Sequence, residues 1–177
     1  MTWTSFHRRG EILRDVVSSA NRRRDGLLPM ELTGVAETFG DELSLLGALQ
    51  LRWHTRLSGR VERELAAEPL DLEDAVVAAW HATADELPGP LAILDRERSA
   101  HSTPAVAEAM AKATAKERSM LAMMAGRVSS VGPAAVRAGA EIERRARATY
   151  EPSVASAPAP ARRPGGLLRR FKPARAA

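Results

Sequence analysis

Arginines carry most of the chemistry this sequence could perform, and they occur in two patterns. Arg52, Arg56 and Arg60 recur every four residues, with Arg63 close behind. That spacing lines guanidinium groups along one face of a helix, beside the apolar stripe of Trp53, Leu57 and Val61. Like charges so placed repel by roughly a few tenths of a kcal/mol per pair, so something must compensate. Pairing with Asp71, Glu73, Asp74, Asp85 and Glu86 of a facing helix, plus Arg60–Glu64 along the same helix, is the expected arrangement. The alternative is a ridge that binds phosphate.

The second pattern is a basic arm. From Pro152 to Ala177 the chain holds six cations (Arg162, Arg163, Arg169, Arg170, Lys172 and Arg175) and no acid. The whole chain has 26 Lys+Arg against 22 Asp+Glu, so residues 1–151 are slightly acidic. Five of the 11 prolines fall in this arm, among Ala, Ser and Gly. Such a composition cannot bury enough apolar area to offset the entropy of ordering, and a disordered tail is expected over 151–177. After the hinge Gly165-Gly166, Leu167, Leu168 and Phe171 interleave with Arg169, Arg170 and Lys172. That block suits an acidic protein groove above all, and also a membrane surface or nucleic acid. An internal partner exists as well: residues 31–100 hold six cations against 14 acids.

Other chemistries find little support. The histidines are His7, His54, His81 and His101, and none belongs to an H-E-x-x-H pair. Asp74, His81 and Asp85 share a helix face that His54 could approach, but ligand spacing of this kind is loose, and simple His81–Asp85 pairing is expected instead of a metal site. The absence of cysteine excludes thiolate catalysis, disulfides and Cys-ligated metals, and fits a reducing compartment. Ser58-Gly59 lies within a helix, not in a nucleophile elbow, and no phosphate-cradling glycine loop is present. A non-enzyme without cofactor or metal is expected. No segment approaches the roughly 18 apolar residues of a membrane span and no apolar leader follows Met1, so a cytoplasmic protein is the expectation.

The elements that must position these groups are helices. Apolar positions step by three or four throughout, and no segment alternates with period two. Helices are expected over 5–24, from the cap Asp41 to about Ala67, from Asp71 to the Leu87-Pro88-Gly89-Pro90 break, from Thr103-Pro104 to about Ala125, and from Pro133 to about Tyr150. One helical turn is expected around Val35–Phe39 and a short helical piece around Leu91–Arg98. The fold class is therefore all-α: an up-and-down domain of about five helices over 1–150, followed by the tail. Met120, Leu121, Met123 and Met124 cannot all face one narrow stripe, which leaves adaptable apolar surface for a second protomer.

The segment Ala125-Gly126-Arg127-Val128-Ser129-Ser130, with Ala135-Val136-Arg137 beyond it, resembles the A-G-V-S-x-x-T-V-x-R pattern of helix-turn-helix DNA-binding proteins. The resemblance covers about a dozen residues, and departs from the pattern at Arg127 and at Gly132-Pro133. It implies phosphate contacts from Arg137, Arg144, Arg145 and Arg147. Three functions follow from these readings. The first is a non-enzymatic cytoplasmic interaction or adaptor module whose arm tethers an acidic partner, with homodimerisation through the methionine helix. The others are a DNA-binding regulator using 118–148, and a small-molecule sensor with a pocket between the Trp53 and Trp80 helices.

Overall fold

The computed structural model describes residues 3–153, which form helices and no strand among the described residues. In chain order these are α1 (Trp3–Arg23), α2 (Val35–Phe39), α3 (Glu42–Leu65), α4 (Leu72–Glu86), α5 (Pro88–Ser99), α6 (Pro104–Met124) and α7 (Pro133–Ala148). The all-α expectation holds, but seven helices replace about five. The extra ones are the single turn α2 and the full helix α5. Pro88-Gly89-Pro90 opens α5 instead of merely breaking the chain, because proline in the first turn presets helical φ and forfeits no bond there. The arm residues Arg162, Arg163, Leu167, Leu168, Arg169, Arg170, Phe171 and Lys172 lie outside the described residues.

Local chemistry sets the helix starts. The carboxylate of Asp41 accepts from the Ser44 amide at 2.7 Å, that of Asp71 from the Asp74 amide at 3.0 Å, and the Thr103 hydroxyl from the Val106 amide at 3.2 Å. Each satisfies one of the amides that a helix N-terminus leaves without a partner. α1 ends at Arg23; Arg24 turns into the left-handed region with φ 50°, and Gly26 follows in the same region with φ 73°, which glycine enters without steric cost.

The core is centred on the α3–α4 pair; α5 packs on α1 and α3 and also reaches α6, while α6 and α7 pack on each other and on α4. Leu45, Leu46, Leu49, Trp53, Leu57 and Val61 form the inner face of α3. Trp53 meets Trp80 of α4 edge to face, with ring centroids 5.9 Å apart. Two glycines permit unusually close backbone approach. A Cβ on Gly139 would lie 1.9 Å from the Arg118 carbonyl oxygen, which draws α7 against α6; one on Gly89 would lie 2.1 Å from the Ala20 carbonyl carbon, which seats α5 on α1. At the second crossing Asn21 bridges two helix ends. Its Nδ2 donates to the Glu86 carbonyl at 3.1 Å and its Oδ1 accepts from the Gly89 amide at 2.9 Å.

Candidate functional site

The arginine row lies on α3, on a face next to the one that enters the core. With the inner positions of α3 committed to packing, Ser44, Gly47, Ala48, Leu51, Arg52, Thr55, Arg56, Gly59, Arg60 and Arg63 form a second stripe by helical periodicity. At its C-terminal half Arg52, Thr55, Arg56, Gly59, Arg60, Arg63 and Glu86 line a cavity of about 220 Å³. Glu86, the last residue of α4, clamps two of the four arginines: Oε1 lies 3.2 Å from Arg56 Nε, and Oε2 accepts from Arg60 Nη2 at 2.7 Å. Arg52 and Arg63 form no ion pair among the described residues. The Nε groups of Arg52 and Arg60 are shielded from solvent without a hydrogen-bond partner.

Compensation by facing acids thus occurs, but narrowly. Of the five carboxylates expected to face the row, only Glu86 reaches it, and Arg60 pairs with Glu86 and not with Glu64. Glu73 and Asp74 point instead toward α7, and Asp85 accepts from the Tyr150 hydroxyl at 2.9 Å. Burial and then the bond to Asp85 push the Tyr150 phenol up to about 12. Four guanidinium groups thus surround one carboxylate, and their forked N–H donors have the geometry that matches carboxylate or phosphate oxygens. The remaining lining group with a polar side chain is the Thr55 hydroxyl.

At the N-terminal half of the same stripe the surface becomes apolar. Leu13 of α1 and Gly47, Ala48 and Leu51 of α3 line a groove of about 480 Å³, at whose edge Arg9 of α1 is tied to the Thr38 carbonyl at 3.0 Å and to the Phe39 ring. Arg52 and Thr55 line both the groove and the cavity, so the two are continuous. Leu51 is 66% exposed within it.

The chain matches no protein-family model, no curated protein and no solved structure. Function therefore rests on the geometry.

The four cations that the helix-turn-helix resemblance implied for nucleic acid are divided by the fold. Arg145 pairs with Glu73 at 3.1 Å and with Asp74. Arg147 makes a two-pronged pair with Asp95 at 2.8 Å through both terminal nitrogens, and lies 5.2 Å from the Trp80 ring centroid. Arg137 and Arg144 are exposed on the outer face of α7, with Glu141 between them. Arg127, in the would-be turn, bonds Glu73 at 2.7 Å and Glu141 at 3.3 Å. The residues weighed for a metal site, and set aside, are dispersed as well. His81 Nε2 contacts the Ala146 carbonyl at 2.8 Å, while Asp74 and Asp85 face Arg145 and Tyr150. Between the Trp53 and Trp80 helices the two indole rings meet edge to face in the core. Met120, Met123 and Met124 line a separate open groove with His54 and Val131.

One polar cluster escaped the sequence reading. Glu117 of α6 and Glu143 of α7, 2% and 4% exposed, meet at Arg98 of α5. Glu117 also accepts from Gln50 Nε2 at 3.3 Å. Burial, reinforced by the nearby Glu143 charge, raises the Glu117 carboxyl above the ordinary range despite Arg98. Burial opposes the charge of Glu143 too, but the bond from Arg118 and the charges of Arg98, Arg147 and Arg118 outweigh it and hold that carboxyl low. The signal was present in the pattern: Glu117 falls on the inner stripe of α6, between Met110 and Leu121, where an acid must find a buried cation.

Proposed function

We propose that this protein is a non-catalytic cytoplasmic interaction module that engages an acidic protein partner through the arginine face of α3. The supporting observation is the imbalance at that face, where Arg52, Arg56, Arg60 and Arg63 surround Glu86 alone among the cavity's lining residues. A carboxylate-bearing surface would relieve the repulsion that Glu86 leaves uncompensated, and would find Arg52 and Arg63 already without partners. The basic arm adds a second, longer-range attraction that steers the same class of partner. DNA recognition draws less support, since two of its four candidate cations serve internal ion pairs.

The test uses a fluorescent glutamate-rich peptide and anisotropy titrations at increasing salt. Binding should weaken at least about tenfold in Arg52→Gln/Arg63→Gln, and the salt dependence should flatten. Replacing the six arm cations by glutamine in the full-length chain should lower affinity further and independently. Unchanged affinity in the α3 double variant rejects this reading.

A further inference from the structure

Three glycines inside helices have no explanation within the fold. Glycine in a helix interior is less stable than alanine, so its presence asks for a reason. Gly89 and Gly139 have one, because a Cβ there would strike a neighbouring backbone. A Cβ on Gly10, Gly47 or Gly59 would meet nothing within 4 Å, and none of the three has a positive φ. Yet all of them border a single continuous surface: Gly10 and Gly47 line the apolar groove, and Gly59 lines the arginine cavity.

Resting on the reading of α3 as the face for an acidic partner, we propose that its occupant is an amphipathic helix of that partner, laid lengthwise along α3. From Ser44 to Arg63 the stripe runs about 28 Å, the length of a helix of roughly 19 residues. Its two halves differ in chemistry, with small and apolar residues first and guanidinium groups after. A matching helix carries small apolar side chains over Gly47, Ala48 and Leu51, and carboxylates over Arg52 to Arg63. Missing Cβ atoms at Gly47 and Gly59 let the two helix axes approach more closely than larger side chains would allow. A free phosphate would use only the arginine half and leave the glycines idle. A lipid surface would meet a concave groove walled by α1 at Leu13.

The experiment uses the full chain and a labelled synthetic peptide of about 20 residues, with Ala and Leu on one face of its first half and Glu on the same face of its second. Controls are the same peptide with Lys for Glu, inorganic phosphate, and phosphatidylglycerol vesicles. The acidic peptide should bind and gain helicity by circular dichroism, and the lysine peptide should not. Gly47→Ala/Gly59→Ala should raise Tm by about 2–4 °C or more, whereas Gly47→Leu/Gly59→Leu should weaken the peptide at least about tenfold while the chain still folds. A glycine variant that is stable yet binds like the parent overturns the lengthwise helix. In that case loss of binding in Arg52→Gln/Arg63→Gln still upholds the acidic-partner reading, and its retention rejects that as well. Binding of phosphate or vesicles without the peptide, or self-association blocked by the same glycine variants, assigns the face to another occupant and overturns the proposal.

Discussion

Replacing Glu117 by glutamine should stabilise this protein at neutral pH, an unusual outcome for a buried charged residue. The carboxyl is 2% exposed, and its donors are distant: Gln50 Nε2 at 3.3 Å and Arg98 Nη2 at 3.4 Å, with the buried Trp53 indole N–H near it but without a formed bond. Charge-assisted bonds normally close to roughly 2.7–2.9 Å, so the ionised form is poorly compensated for the water it has lost. Gln50 Oε1, meanwhile, is buried without a donor. Glutamine at 117 keeps the shape, removes the charge and supplies an N–H that can turn toward that oxygen. Making one such bond contributes about 1 kcal/mol, which corresponds to roughly 2–4 °C in Tm for a chain of this size.

The pH dependence separates this from a packing effect. The folded carboxyl of Glu117 lies above its unfolded value of 4.5. Its contribution is therefore fully present below that value and is lost as pH rises through the folded pKa. The advantage of the glutamine variant should be small near pH 4.5 and grow toward pH 8. Glu143 should behave in the opposite sense. Its folded carboxyl is held low, so its contribution is present above 4.5 and is lost as pH falls through the folded pKa. Glu143→Gln should cost about 2–4 kcal/mol near pH 7, less than the loss of a fully buried pair because Arg118 and Arg147 reach solvent. That cost should shrink on acidification. Urea unfolding followed by circular dichroism from pH 4.5 to 8.5 reads both. A Glu117→Gln effect that is destabilising, or flat with pH, refutes the reasoning.

Other expectations follow from single contacts. Gly139→Ala should destabilise by about 2–3 kcal/mol in chemical denaturation, because the new Cβ meets the Arg118 carbonyl and not a side chain that can turn away. Asn21→Ala should cost about 2 kcal/mol and speed hydrogen exchange at the Gly89 amide, since it strips that amide and the Glu86 carbonyl of their shared partner. Tyr150 is the single tyrosine, so an ultraviolet titration of the native protein reads it directly; ionisation should wait until about pH 12. Because its folded pKa exceeds the unfolded value of 10.0, the stability it contributes should vanish only as pH rises through that range. Ionisation near 10 would mean that the phenol is neither buried nor bonded to Asp85.

Much of the fold was readable because its signals are local. Asp41, Asp71 and Thr103 cap helices where their side chains can reach amides three residues on. The α3 stripe from Leu46 to Val61 is buried as its periodicity implies. Pro88-Gly89-Pro90 misled because proline ends one helix and begins another with equal ease, and the choice depends on Ala20 and Asn21 on α1. The candidate site was half readable. The row of arginines is visible at four-residue spacing, but which acid would reach it was not.

By itself, the sequence determined the helical class, the caps, the row of guanidinium groups on one side of α3 and the uneven charge along the chain. These depend on residues within a few positions of one another. Only the tertiary structure decided that Glu73 and Asp74 serve Arg127 and Arg145, that Glu86 alone answers the α3 row, and that Arg98 lies between two buried glutamates. It also separated the glycines that permit helix contact inside the fold from those that face outward. Ion pairs and close backbone approaches join residues as far as 72 positions apart, and no local rule of spacing specifies which of many similar charges will meet.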